Sequence, residues 1–211
     1  MNDLNNKKGV MLVLSSPSGA GKSSICKSLM NLDTNLSLSI STTTRKKRPN
    51  EKSGEDYIFV NTEEFKEMLK NDHFLEHASV FDNYYGTDKS LVENKINNGK
   101  DLIFDIDWQG AQQLREKMRE DIVSIFILPP NKQELERRLK SRGQDSDEVV
   151  KKRMDGASAE ITHWAEYDYV VINQDLNKSV NAVLGILKAE RMKRTRQEGL
   201  VEFVRSITHD S

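Results

Sequence analysis

The residues best suited to chemistry in this 211-residue chain stand in one short run, Ser-Pro-Ser-Gly-Ala-Gly-Lys-Ser, from Ser16 to Ser23. The run follows the phosphate-loop pattern G-x-x-x-x-G-K-[ST] at its last three fixed positions, Gly21, Lys22 and Ser23. It departs at the first, where Ser16 stands in place of glycine. Such a loop works through its backbone. Gly19 and Gly21 let the chain curl so that successive N–H groups converge, and the following helix adds its free N–H groups and dipole. Lys22 supplies a charge able to follow a phosphoryl group in transfer, and the Ser23 hydroxyl can ligate Mg2+. Ser16, Pro17, Ser18, Gly19, Ala20, Gly21, Lys22, Ser23 and Ser24 are therefore the expected cradle for ATP phosphates. A glycine-rich turn beside a solvated lysine is the plainer reading, and the loop's place between a buried strand and a helix disfavours it. Downstream, Leu-Ile-Phe-Asp at 102–105 is an apolar strand ending in a carboxylate. Asp105 is expected to help organise a Mg2+ shell, a helix cap being the alternative.

These residues need a frame, and the hydrophobic pattern describes one. Short apolar runs at 10–14, 36–40, 101–106, 122–128 and 169–172 alternate with helical patterns. Near-continuous apolar strands separated by helices imply a parallel sheet covered on both faces. Lys22 to Asn31 reads as the first helix. Cys26, on it, reads as a small buried side chain rather than a redox group. Asn131 with Glu134 reads as a helix start that Gly143 could stop, and Asp145 with Glu148 opens another running to about Trp164. Ser179 to Arg194 reads as a helix near the C-terminus. The segment from 41 to 88 breaks the rhythm with a strand at 57–60, a short helix near 63–70 and a strand at 74–81, as an α+β insertion would.

Composition limits the alternatives. Charged residues make up 31% of the chain, yet 32 Lys+Arg oppose 33 Asp+Glu. That balance excludes a disordered polyelectrolyte and argues against a general nucleic-acid binder. One cysteine permits no internal disulfide, and no apolar run approaches membrane-spanning length. The polar start and short first apolar run do not resemble a signal peptide. A soluble, cytoplasmic protein is expected, with no nucleic-acid or membrane partner. His73, His77, His163 and His209 lack the spacing of a metal site.

Four further stretches carry a family resemblance: Ser41-Thr-Thr-Thr-Arg-Lys-Lys-Arg48, Gly54-Glu-Asp-Tyr57, Asn83-Tyr-Tyr-Gly-Thr87 and Asp105-Ile-Asp-Trp-Gln-Gly110. With the phosphate loop they make the chain resemble the guanylate kinases, nucleoside monophosphate kinases of the phosphate-loop class, from about Val10 to the C-terminus. The resemblance implies an α/β fold, a three-layer sandwich around a central parallel sheet. It implies a nucleotide-binding core (1–40, 89–131 and 157–211), a GMP-binding insertion (41–88) and a helical lid (132–156). It implies Mg2+-assisted transfer from ATP to GMP, giving ADP and GDP.

Residue by residue, the resemblance places Arg45, Arg48, Tyr57 and Tyr85 on the GMP phosphate, with Glu51 orienting the arginines. Planar guanidinium forks suit a dianionic phosphate, although a solvated basic loop is the plainer reading of 45–48. Glu76, Ser41, Thr87 and Asp107 match the contacts to guanine, whose N1 and N2 donors a carboxylate can accept. Adenine would leave that carboxylate unpaired, a mismatch that can reject the wrong base by up to ~10⁴–10⁵. Arg138, Arg142 and Arg153 match lid arginines that close on the transferring phosphoryl. With Lys22 and Arg45 they form the expected catalytic set. Arg142 is also well placed to complement a helix C-terminus. Asn173 matches a position near adenine. A kinase of another small phosphate ester, or a guanylate-kinase-like phosphopeptide-binding module without activity, are the alternatives. The intact Lys22 and Ser23 disfavour the second. Acceptance of dGMP and the oligomeric state stay open.

Overall fold

A computed structural model describes residues 8–80, 82–141 and 147–208. Five parallel strands form the main sheet: β1 (Met11–Ser15), β2 (Leu36–Leu38), β7 (Asp101–Asp105), β8 (Ile122–Leu128) and β9 (Tyr169–Ile172), in the order β2-β7-β1-β8-β9. All of β1 is buried, because it lies at the centre with both faces covered. Its side chains alternate between two cores. Leu12 and Leu14 join Ile25 and Leu29 of α1 (Lys22–Leu32) and Val183 and Leu187 of α7 (Leu176–Arg191). Met11 and Val13 join Val92 and Ile96 of α3 (Lys89–Asn97) and Leu114 of α4 (Trp108–Met118). The three-layer α/β sandwich read from the sequence is thus what the chain forms.

The parallel register aligns Leu14 with Asp105 and Ile125. Every carboxyl end of the sheet therefore opens on the same edge, the usual location of a ligand crevice in such sheets.

A second sheet of order β4-β3-β6-β5 is made by β3 (Thr42–Thr43), β4 (Ile58–Phe59), β5 (Phe74–Val80) and β6 (Asn83–Asp88). Helix α2 (Thr62–Lys70) packs on it, with Phe65 stacked between Phe74 and Tyr84 at centroid distances of 4.5 and 5.4 Å. Its start is fixed by a capping box in which Asn61 and Glu64 each accept the other's backbone N–H. Helices α5 (Lys132–Ser141) and α6 (Asp147–Ile161) share a small core of Leu135, Leu139, Val150, Met154 and Ala157. The expected cap at Asn131 is present: its Oδ1 accepts the Glu134 N–H at 2.8 Å. The Gly143 stop and the Asp145 cap lie outside the described residues.

Several boundaries differ from the sequence reading. Helix α7 begins at Leu176 rather than Ser179, because Asp175 accepts the Lys178 N–H and opens the helix earlier. Helix α6 ends at Ile161 and gives way to a 3-10 turn over Thr162–Glu166. The strand expected at 57–60 is reduced to two residues. A last helix, α8 (Leu200–Thr208), was not anticipated.

One polar knot closes the far edge of the sheet. Buried Asp101 accepts from the Val10 N–H at 2.6 Å, Asn35 Nδ2 at 3.0 Å and Arg191 Nε at 2.8 Å, and Arg191 also reaches Asp33. Removing one partner of a buried ion pair strands the other groups without acceptors. Asp101→Ala is expected to lower the free energy of urea unfolding by about 3 kcal/mol, the low end of such losses, since Arg191 keeps Asp33 and some solvent access.

Candidate active site

The phosphate loop follows β1 and feeds α1. Gly19 and Gly21 take φ values of 91° and 100°, left-handed conformations that side chains strain to adopt. At Gly21 space is also exhausted, because a Cβ there would stand 2.4 Å from Asn173 Nδ2. The loop is braced from three sides. Buried Asn173 donates through Nδ2 to the Ala20 carbonyl at 2.8 Å, and its Oδ1 accepts the Ser179 hydroxyl at 3.0 Å. Arg138 of α5 donates to the same Ala20 carbonyl at 3.2 Å and to the Asn173 carbonyl at 3.0 Å, while Glu134 holds its Nε at 2.7 Å. The hydrogen bonds from Arg137 and Arg138 hold the Glu134 carboxyl down to about 2. From α6, Glu160 Oε2 accepts the Ser18 N–H at 3.2 Å. Ser16, in place of the first motif glycine, turns its hydroxyl onto the Pro17 carbonyl at 3.0 Å. Ser24 is exposed on the first turn of α1.

At the mouth of the loop, Lys22 Nζ lies 2.9 Å from Asp105 Oδ1 and donates to the Ile106 carbonyl at 2.7 Å. The Ser23 hydroxyl donates to Asp105 Oδ2 at 2.9 Å. One carboxylate at the end of β7 thereby gathers both chemical residues of the loop. Cys26, directly beneath, is inert: burial, then the charge of Asp105, pushes its thiol up to about 12.

Between the two sheets lies a cavity of about 220 Å³ lined by Ser41, Tyr57, Thr87, Phe104, Asp105 and Ile106 among others. Its walls mix residues of the insertion with the carboxylate that holds Lys22. On one side stands a cationic corner. Arg45 Nη2 donates to Glu51 Oε1 at 2.6 Å, and the other Glu51 oxygen accepts the Arg48 N–H at 2.8 Å. The guanidinium sits 5.2 Å from the Tyr57 ring centre and 5.8 Å from that of Phe59. Tyr85 meets Tyr57 edge to face at 6.1 Å. The hydrogen bond from Arg45, then the Arg48 N–H, holds Glu51 below the usual carboxylate range. Arg48 itself is exposed.

On the other side is a buried carboxylate. Glu76 of β5 is 4% exposed, and its Oε1 accepts the Thr87 hydroxyl at 2.6 Å. Its second oxygen faces Gly110, where an added Cβ would come within 3.0 Å. Burial pushes the Glu76 carboxyl up to about 7, with Asp107 adding to the rise and Thr87 and Lys117 opposing it. Asp107 caps α4, accepting the Gly110 N–H at 2.9 Å on Oδ1. Ser41 is half-buried at the cavity wall.

The structure thus brings Lys22, Ser23, Asp105, Arg138 and Asn173 together at the loop. Arg45, Glu51, Tyr57 and Tyr85 form one cluster, and Glu76, Thr87 and Asp107 another. Arg153 is exposed on α6, and Arg142 lies outside the described residues. The sequence reading missed Glu160, Glu134, Lys117 and the clearance at Gly110. Gly110 had a signal in its place in the Asp105–Gly110 motif, and Glu134 had one as a helix-start residue, though its hold on Arg138 was not read from it.

A phosphate loop at the carboxyl edge of a parallel sheet, facing a second small sheet across a polar cavity, is the framework of a phosphate-loop kinase. The guanylate kinase family profile matches residues 8–190. Guanylate kinase of Paramagnetospirillum magneticum is 55% identical over 199 residues, covering 94% of this chain and 93% of that protein. Guanylate kinase of Nitrobacter hamburgensis is 56% identical over 201 residues, 95% and 92% of the two chains. The crystal structure of guanylate kinase from Anaplasma phagocytophilum superposes with a TM-score of 0.79 at 40% identity, covering 98% of this chain and 99% of that one. The chain belongs to the guanylate kinase family.

The raised Glu76 carboxyl has a measurable consequence. A guanine bound against this carboxylate would donate to the ionised form, which is depleted as pH falls below about 7. The KM for GMP is expected to rise roughly tenfold between pH 8 and pH 6, following the fraction ionised. Glu76→Gln removes this component, leaving only the titration of the GMP phosphate itself. Initial-rate kinetics across that pH range check both.

Proposed function

We propose that the protein transfers the γ-phosphoryl group of ATP to GMP, giving ADP and GDP, through the residues placed above. The observation that carries this is the shared position of Asp105. It holds Lys22 and Ser23 at the phosphate loop and also lines the cavity that Ser41, Tyr57 and Thr87 of the insertion share. Donor and acceptor phosphates entering from the two sides would meet there.

The ATP phosphates bind along Ser16 to Ser24, around the left-handed turns at Gly19 and Gly21. Lys22 exchanges Asp105 for the triphosphate and moves with the transferring group. Arg138 of α5 and Arg153 of α6, together with Arg142, shield the group from water and offset its charge. Asn173 supports the loop from beneath and fixes the β9 end of the ATP site. Arg45 and Arg48, with Tyr57 and Tyr85, hold the GMP phosphate. Glu51 is a positioning residue, since its oxygens already bind Arg45 and the Arg48 backbone. Glu76 accepts from guanine N1 and N2, with Ser41, Thr87 and Asp107 completing the base pocket. This division assigns 41–88 to GMP, 132–156 to the lid and the remainder to the core.

The donor set at the loop mouth suits magnesium. A serine hydroxyl and a partly exposed carboxylate 2.9 Å apart are hard oxygen ligands, few enough that phosphate and water complete the shell. Ser23 and Asp105 would hold Mg2+, which when bound with ATP neutralises phosphate charge and orients the chain of phosphates. Among the described residues no helix is long and apolar enough to cross a membrane, which accords with a soluble cytoplasmic enzyme.

The decisive assay compares GMP, dGMP, AMP, CMP and UMP as acceptors, reading ADP release. GMP is expected to be preferred over AMP by several orders of magnitude. Comparable turnover of AMP would refute the base assignment. Lys22→Ala is expected to lower kcat by at least ~10² with the melting temperature unchanged, because its charge acts mainly in the transition state. Near-normal turnover in that folded variant would refute the mechanism.

A further inference from the structure

Glu160 has no role in the scheme above, yet it touches the phosphate loop directly. Its Oε2 accepts the Ser18 N–H at 3.2 Å, across 142 residues of chain. Ser18 is the third residue of the loop and lies within the turn that ties the Ala20 N–H back to the Pro17 carbonyl. Burial raises the Glu160 carboxyl above its usual value, opposed by the Ser18 bond and by the charge of Lys22. The charge of Asp107 adds to the rise.

Position along α6 gives this contact its meaning. Glu160 stands seven residues after Arg153, two helical turns, so the two side chains leave the same flank of the helix about 10 Å apart along its axis. The neighbouring flank, Val150, Met154 and Ala157, is buried against α5. The carboxyl end of α6 is also fixed to the core. His163, just past it, stacks on Trp108 at 3.7 Å and 9°, and its Nδ1 pairs with Glu166 at 2.6 Å. Helix α6 is thus clamped at one end, with Glu160 on the loop and His163 on α4, and carries Arg153 two turns further out. Helix α5 reaches the loop from the opposite side, through Arg138 on the Ala20 carbonyl.

We propose that Glu160 is a positioning residue for phosphoryl transfer: by accepting the Ser18 N–H it fixes the axis of α6 against the phosphate loop and so sets where Arg153 arrives on the transferring group. The inference rests on the reading of Arg153 as a lid arginine. Glu160 does not touch the reacting atoms. It acts through the direction of a helix, and displacements of about 1 Å at a reacting centre can cost ~10² in rate.

The test is steady-state kinetics on the full-length enzyme carrying Glu160→Ala, Glu160→Gln, Arg153→Ala and Glu160→Ala/Arg153→Ala. Glu160→Ala is expected to lower kcat about 10- to 100-fold with the KM for GMP unchanged, a split that general destabilisation would not produce. Glu160→Gln, whose amide oxygen can still accept the Ser18 N–H, is expected to restore most of that rate. The double variant is expected to be no slower than the slower single variant, because both changes remove one function. Wild-type kcat in Glu160→Ala, equal loss in the Gln and Ala variants, or losses that multiply in the double variant would each overturn the proposal. An unaffected Arg153→Ala would overturn the lid reading and this inference with it. A slow Arg153→Ala beside a normal Glu160→Ala would overturn only the inference. If Glu160→Ala does not fold, Glu160→Asp replaces it: one methylene too short, it is expected to lose rate where Glu160→Gln does not.

Discussion

Asp105 is the point on which the site turns. It ends the strand beside β1, and the parallel register sets it level with the start of the phosphate loop. From there its two oxygens take the Lys22 ammonium and the Ser23 hydroxyl, both at 2.9 Å. The interaction keeps a lysine extended over a loop full of backbone donors, in a place where neither charge is fully solvated. Everything downstream needs that register. A one-residue slip of β7 against β1 would turn Asp105 to the other face of the sheet and leave Lys22 without its partner.

Around this point charge is distributed by function. The chain carries 32 basic and 33 acidic side chains, a balance that looks featureless as a sum. In space, two of the arginines proposed to meet phosphate are each held by a carboxylate: Arg45 by Glu51 and Arg138 by Glu134. Those pairings fix long side chains before a substrate arrives, which lowers the ordering cost of binding. Glu76 is treated in the opposite way. It is buried with one hydroxyl for company, so its charge is disfavoured until donors enter. In the proposed role such a carboxylate would discriminate between bases, because guanine N1 and N2 are the donors it lacks.

Much of this was legible in the sequence for reasons that can be named. The five strands stand out because parallel, doubly covered strands are apolar throughout, as the fully buried β1 shows. The loop and the acceptor motifs stand out because phosphate and guanine demand particular residue types. Local rules failed where a neighbour in sequence gave the wrong hint: Ser179 looked like a helix start, but Asp175 caps α7 and the Ser179 hydroxyl goes to Asn173. Helices α3 and α4 went unread: the first turn of α4 overlaps the motif at 105–110, which read as chemistry rather than as a cap, and α3 starts just past the motif at 83–87. Glu160 was not legible at all. In the sequence it is one acid in a polar helix, and only the folded chain brings it to Ser18. Gly110 was marked by its motif, but the reason was not legible, since its lack of a side chain matters only because Glu76 occupies the space.

The central claim is that Asp105 and the triphosphate compete for Lys22, and calorimetric titration of metal-free ATP into Asp105→Asn tests it most directly. The neutral amide holds Lys22 less tightly and removes a negative charge from the loop mouth, so ATP should bind several-fold more tightly than to the wild-type protein. Unchanged or weaker binding to a folded Asp105→Asn would contradict the account.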